Sequence, residues 1–339
     1  MYFGFGPAGT DNRPEASNGH SSIRALARRL PTSVHLTRAM RRRPGRPLRL
    51  LLLAAALPLL GGCQQHNILY GAGPVGSAEA NILVIASIIM LAIIVPTMIA
   101  TVIFALWYRE SNPKALYRPD WAFSGRIELV VWSVPFLTIT FLGGIAWIGA
   151  HRLDPATPLA SDKKPLQVQV VSLDWKWLFL YPDQGVASVN ELVVPAATPV
   201  TFKLTSSSVW NSFFVPKLGS MIYTMRGMVT TLNLMADQEG ELHGLSTHFS
   251  GDGFADMHFP VRAVSDSDFA TWVNGAKGSG ATLDKAAYAD LAKQSIADAP
   301  RSFGSVEPGL FDGIVTQTVP PGPGPAAGGV ENVRPKGGS

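Results

Sequence analysis

Cysteine is nearly absent: the 339 residues hold one, Cys63. Beyond that position the chain can form no disulfide and no thiolate metal centre. Charged residues are few, 15% of the chain, and unevenly spread. Residues 1–50 carry ten Arg against Asp11 and Glu15, whereas the remainder holds 18 basic and 22 acidic residues. The formal charge of +4 therefore belongs to the N-terminal segment, and a nucleic-acid partner has no support. Lys and Arg are missing between Cys63 and the first long apolar run, and no internal repeat is evident.

What the sequence has instead is three apolar blocks. The first lies in residues 40–63, MRRRPGRPLRLLLLAAALPLLGGC. Arg41, Arg42, Arg43, Arg46 and Arg49 make a basic start, and residues 50–60 make an apolar stretch too short to span a bilayer comfortably. Leu60-Gly61-Gly62-Cys63 resembles a bacterial lipobox, which makes Cys63 the expected lipid attachment point. The plainer alternative is an ordinary signal peptide with a chance cysteine. An acyl chain there adds an anchor, since each buried methylene contributes about 0.8 kcal/mol. Met40 is the expected start. Residues 1–39, rich in Arg, Gly, Ser and Pro without periodicity, carry no expected structure.

Residues 82–107 and 127–150 are the other two blocks, with Pro96 and Pro135 inside them. At about 1.5 Å per residue each crosses an apolar core of about 30 Å. The loop between them carries Arg109, Lys114, Arg118 and Arg126 against Glu110 and Asp120. The positive-inside rule puts this loop in the cytoplasm and both outer ends outside, in agreement with an exported Cys63. The expected order is residues 1–62 as extension and signal peptide and 63–80 as a periplasmic segment. Residues 81–108 form the first span, 109–126 the cytoplasmic loop and 127–150 the second span.

From residue 151 the chain is polar enough for a soluble domain. LQVQVVSL at 166–173, PVTFKLT at 199–205, residues 229–234 and MHFPVRAV at 257–264 read as strands. Short strands separated by Gly, Pro and Asn turns predict a β-sandwich over 151–264. Phe269, Trp272 and Val273, then Tyr288, Leu291 and Ala292 behind a Thr282 cap, fall at helical spacing. Two short helices are expected in 265–315, and 316–339 is expected to be a disordered Pro/Gly-rich tail.

Two stretches carry a family resemblance: SSSVWNSFFVPKLGSMIY at 206–223 and EGELHGLSTHFSGDGFADM at 239–257. They resemble the metal-binding end of the cupredoxin domain in subunit II of the haem–copper respiratory oxidases. In the cytochrome c-oxidising members the pattern is a His before Ser and an aromatic, then Cys-x-Glu-x-Cys-x-x-x-His-x-x-Met. The first His position falls on Asn211, the Cys positions on Ser246 and Ser250, the Glu position on His248, and the second His position on Phe254; only Met257 matches. A serine hydroxyl is a hard ligand and does not replace a bridging thiolate for copper. The copper-ligand positions are thus replaced while the frame is kept, as in subunit II of the cytochrome bo-type quinol oxidases, which DWKWLFLYP and SFFVPKLGS also resemble. The implied fold is membrane-anchored α+β: two transmembrane helices, a periplasmic cupredoxin-like β-sandwich and C-terminal helices.

The resemblance also implies roles. Glu128, Trp132 and Pro135 match the family's spacing at the cytoplasmic mouth of a proton path; the plainer reading of Glu128 is an interfacial residue paired with Arg126 or another basic residue. Trp132, Trp175 and Trp177 are expected as aromatics at a subunit interface. His243, His248 and His258 read as surface or hydrogen-bonded side chains, and Met221, Met225, Met228 and Met235 as core fillers. No metal or other cofactor is expected in this chain, and haems and copper are expected in a large partner subunit I. Smaller membrane subunits, the bilayer and membrane quinol are the other expected partners, with no soluble cytochrome c. The expected function is the second subunit of a proton-pumping quinol:dioxygen oxidoreductase in the inner membrane. Two other readings stand beside it. A cytochrome c oxidase subunit II is opposed by Ser246 and Ser250. A lipoprotein with a cupredoxin-like binding domain is opposed by Glu128 and the paired spans.

Overall fold

The computed structural model describes residues 68–116 and 118–324. The Met40 start, the export signal, Cys63 and the tail from 325 lie outside the described residues. Helix α1 spans Pro74–Trp107 and α2 spans Gly125–Arg152. Their apolar side chains are almost all exposed in the isolated chain, as expected of helices that bury themselves in lipid or against other subunits. Thr97, Thr101, Thr138 and Thr140 each donate a hydroxyl to the carbonyl four residues back, at 2.8–2.9 Å, so none presents an unpaired donor to lipid.

The first helix starts two turns before the expected span. Pro74 suits its first turn, where the missing N–H costs nothing. Those turns belong to the soluble domain: Val75, Gly76 and Ala80 are buried. Ala72 N donates to Lys217 O at 2.7 Å and Gly76 N to Leu218 O at 2.9 Å. A Cβ on Gly76 would collide with Lys217 O. Glu79 accepts hydrogen bonds from Ser220 N at 3.1 Å and Ser220 Oγ at 2.7 Å. The membrane helix and the domain are therefore joined by direct contacts as well as by chain continuity.

The domain is a two-sheet sandwich. Strands run β1 Leu166–Leu173, β2 Lys176–Tyr181, β3 Val186–Val189, β4 Leu192–Pro195, β5 Val200–Ser206, β6 Asn211–Val215, β7 Gly219–Thr224, β8 Thr230–Leu234, β9 Gly240–Ser246 and β10 His258–Val264. After Ser265 come α3 Asp266–Gly278, β11 Thr282–Leu283, α4 Lys285–Leu291, β12 Arg301–Phe303, β13 Ser305–Val306 and α5 Leu310–Val315. One sheet has the order β12-β3-β2-β1-β5-β8 and the other β4-β10-β9-β6-β7. The pairs β1–β5 and β4–β10 are parallel.

Two cores flank the first sheet. Val168, Val170, Trp177, Phe179 and Phe202 meet Phe213, Phe259 and Val261 of the second sheet. On the outer face, Val171, Leu173, Leu178 and Leu180 meet Tyr288, Leu291, Leu310, Phe311, Ile314 and Val319. A sheet covered on both faces has apolar residues at successive positions, which is why β2 reads KWLFLY rather than alternating.

Three expectations about the C-terminal part are corrected. Thr282 lies in β11, and α4 is capped by Asp284, whose Oδ1 accepts from Ala287 N at 2.7 Å. A third helix, α5, follows the two expected ones. The tail does not leave the domain at 316: Val319 is buried, and residues up to 324 are bonded across the sandwich end.

Candidate functional site

The loops before β6 and after β9 meet at one end of the sandwich. Asn211, the first residue of β6, is buried and accepts from Ser246 Oγ at 3.2 Å. Ser246 ends β9, and its N–H donates to Met257 O at 3.0 Å. Next door, Ser212 Oγ and Thr247 Oγ1 lie 2.5 Å apart, and Thr247 N donates to Ser212 Oγ at 2.7 Å. Ser250 is buried on the following loop, with its hydroxyl unpartnered among the described residues. His248 is exposed, against the Tyr223 ring at 5.8 Å, and half-buried Phe254 packs edge-on to Phe249 at 5.6 Å. Met257 is enclosed in the main core. Of the six positions singled out by spacing, Asn211 and Ser246 bond directly, while the others point to solvent, core or loop interior. Hydroxyls, one amide, an exposed imidazole and a core thioether make a poor donor set for soft copper, which favours thiolate. The arrangement is suited to tying the two loops together. His243 and His258, on paired strands, have ring centroids 5.3 Å apart.

The aromatic assignment is corrected in part. Trp177 is fully enclosed, packed edge-on to Phe213 at 5.5 Å. Trp175 is only 4% exposed, and its indole N–H donates to Ser250 O at 3.0 Å. Both rings are used up inside the chain and cannot offer a face to a partner. A Cβ on Gly253 would fall 2.5 Å from the Trp175 ring, so this loop closes over the indole only with glycine there. Trp132, on α2, remains 75% exposed. Trp210 and Phe249 are exposed rings at the loop end, at 57% and 73%, and motif spacing does not single them out. Trp210 directly precedes Asn211, and that adjacency was the available signal.

A C-terminal strap completes this end. Gly324 N donates to Asp174 Oδ2 at 2.9 Å, while the other carboxylate oxygen accepts from Ser208 Oγ. Gly322 N donates to Ser207 Oγ at 2.9 Å, and the same hydroxyl accepts from Tyr288 OH at 2.8 Å. Burial pushes the Tyr288 phenol up to about 12, with its bond to Ser207 partly opposing. Nearby, Lys176 is buried with its ammonium donating to Lys293 O at 2.6 Å and facing Asp298 at 3.8 Å. Burial lowers its pKa from the ordinary lysine range, and Asp298 opposes the shift. The strap, the turn at 174–175 and both loops thus form one connected polar layer.

Residues 184–264 match the family described as the periplasmic domain of cytochrome c oxidase subunit II, and residues 277–322 match the COX aromatic-rich motif. The chain is 47% identical over 274 residues to the cytochrome bo(3) ubiquinol oxidase subunit 2 of Pseudomonas aeruginosa, covering 81% of this chain and 82% of that one. It is 48% identical to the protein of that name from Pseudomonas putida, over 76% of this chain and 82% of that one. Identity to the ubiquinol oxidase subunit 2 of Acetobacter aceti is 46%, over 78% and 86%. The chain belongs to the ubiquinol oxidase subunit 2 family.

Membership of the ubiquinol oxidase subunit 2 family makes the sandwich a cupredoxin-like periplasmic domain, and α1 and α2 its membrane spans. It also makes the chain one part of a larger oxidase complex. Most of the strap falls inside the aromatic-rich motif, which ends at 322. Glu128 stands at the opposite end of the molecule, in the first turn of α2, where the helix dipole favours a carboxylate. It is exposed and forms no ion pair among the described residues, with Arg126 or any other basic residue.

Proposed function

We propose that this chain is the second subunit of a proton-pumping quinol oxidase, in which quinol is oxidised and dioxygen reduced within a large haem- and copper-bearing partner. The observation that carries the reading is 46–48% identity to three ubiquinol oxidase second subunits over most of the chain. In this reading the loop end is a former copper position. Asn211, Ser246, His248, Ser250 and Phe254 replace its ligands, and the bonds from Ser246 Oγ to Asn211 and from the Trp175 indole to Ser250 O hold the loops in its place. A quinol-driven complex needs no relay here, because quinol is lipid-soluble and reaches the partner through the bilayer.

The remaining roles belong to the same proposal. Glu128, at the cytoplasmic end of α2, collects protons from water for the partner subunit. Cys63 carries lipid that anchors the exported N-terminus. Trp132 lies on the face of α2 turned to the partner, and smaller membrane subunits complete the assembly. Metal analysis of the purified complex, repeated after this chain is dissociated and dialysed, tests the copper-free reading. All copper should stay with the haem-bearing fraction; stoichiometric copper retained by this chain would overturn it.

A further inference from the structure

We propose that the crevice where α1, α2 and the sandwich meet binds the headgroup of a zwitterionic aminophospholipid from the outer leaflet of the membrane. The crevice, about 170 Å³ in volume, is lined by Pro74 and Val75 of α1, Arg152 and Asp154 at the end of α2, and Leu159 and Ser220 of the domain. Its level is fixed by the two helices. One begins and the other ends here, where the apolar spans give way to water. Trp147 and Tyr70 are exposed at the same ends of the helices, where amphipathic rings belong at a membrane boundary.

Neither charge at this crevice is paired with an opposite charge among the described residues. Arg152 makes no ion pair and no side-chain hydrogen bond among the described residues. It also stands on the outer side of a span whose cytoplasmic loop holds most of the nearby cations, against the usual charge bias. A guanidinium presents a planar fork that matches two phosphate oxygens, and cationic pockets between membrane helices hold lipid headgroups in this way. Asp154 lines the same crevice. One of its oxygens accepts from Ala156 N at 3.0 Å, and it too lacks an ion pair. A carboxylate beside a bound phosphate repels it unless a cation sits between them. A headgroup carrying phosphate at one end and ammonium at the other satisfies both residues, whereas inorganic phosphate or a glycerol headgroup satisfies only Arg152.

The walls suit the rest of a lipid. Pro74, Val75 and Leu159 make the crevice partly apolar. Just below it α1 and α2 approach closely, since a Cβ on Gly149 would fall 2.9 Å from Ile82 Cδ1. Leu83 and Ile148 flank that contact with exposed side chains, a track for acyl chains.

The test uses the detergent-purified complex, delipidated and then titrated with phosphatidylethanolamine, phosphatidylglycerol or inorganic phosphate. Lipid retention is read by native mass spectrometry and stability by thermal unfolding. Phosphatidylethanolamine should be retained in preference to phosphatidylglycerol and should raise the unfolding temperature, and inorganic phosphate should leave it unchanged. Arg152→Gln should lower phosphatidylethanolamine retention roughly ten-fold, the loss of one charge-assisted contact, and Arg152→Lys should recover part of it. Asp154→Asn should keep phospholipid but remove the preference. Equal retention by wild type and Arg152→Gln would overturn the proposal. So would equal retention of the two lipids by wild type, or stabilisation by inorganic phosphate matching that by lipid.

Discussion

At the scale of single residues, chemistry and burial divide the labour. Glu128 is exposed in the first turn of α2, with the helix dipole on its side and no ion pair among the described residues. Such a carboxylate is open to water and is not committed to holding the fold. Glu128→Ala should therefore leave haem content and assembly intact while slowing quinol-driven oxygen uptake by on the order of ten-fold or more, the scale of losing a positioned acid–base group. Glu128→Asp should keep part of the rate. Oxygen uptake per haem, measured on the purified variants, checks this; a wild-type rate from Glu128→Ala would remove the proton-collecting role. Motif spacing puts Asn211 and Ser246 on facing loops, where they bond, because spacing carries the register of the loops. The fate of Trp175 and Trp177 was not legible in the sequence: DWKWLFLYP reads alike whether its rings face a partner or a core. What encloses Trp175 is Ser250 and Gly253, more than 70 residues away in sequence.

At the scale of elements, periodicity and length carried the reading as far as local sequence can. Both membrane spans and the strands at 166–173, 200–206, 230–234 and 258–264 were expected close to where they lie. The early start of α1 was hidden because PVGSAEAN is small and polar; its helix is held there by the turn at Lys217–Ser220. The two-residue β11 and six-residue α5 are too short to show a period. The strap is hidden in the sequence because Pro and Gly composition suits both a free tail and an extended segment bonded through backbone N–H groups. Here Asp174 and Ser207 supply the acceptors. Deleting residues 320–339 should cost about 2–4 kcal/mol, as the bonds to the buried Asp174 and Ser207 are lost and Asp174 keeps only its Ser208 partner. Asp174→Ala should cost about 2 kcal/mol by the same route. Thermal unfolding of the purified protein measures both; unchanged unfolding temperatures would show the strap to be an idle surface segment.

At the scale of the whole molecule, two membrane helices are fused to a periplasmic sandwich. The helix termini, the hairpin turn at 217–220 and Glu79 fix how the sandwich sits on its spans. The loop end keeps its shape through hydrogen bonds among Asn211, Ser246, Trp175 and Ser250. On the proposed function, the assembled oxidase draws electrons from membrane quinol without a copper relay in this chain. Oxygen uptake by the purified complex, driven in parallel by a short-chain quinol and by reduced soluble cytochrome c, tests it most directly. Rapid uptake with quinol and background uptake with cytochrome c is the predicted result; sustained uptake driven by cytochrome c would contradict the account.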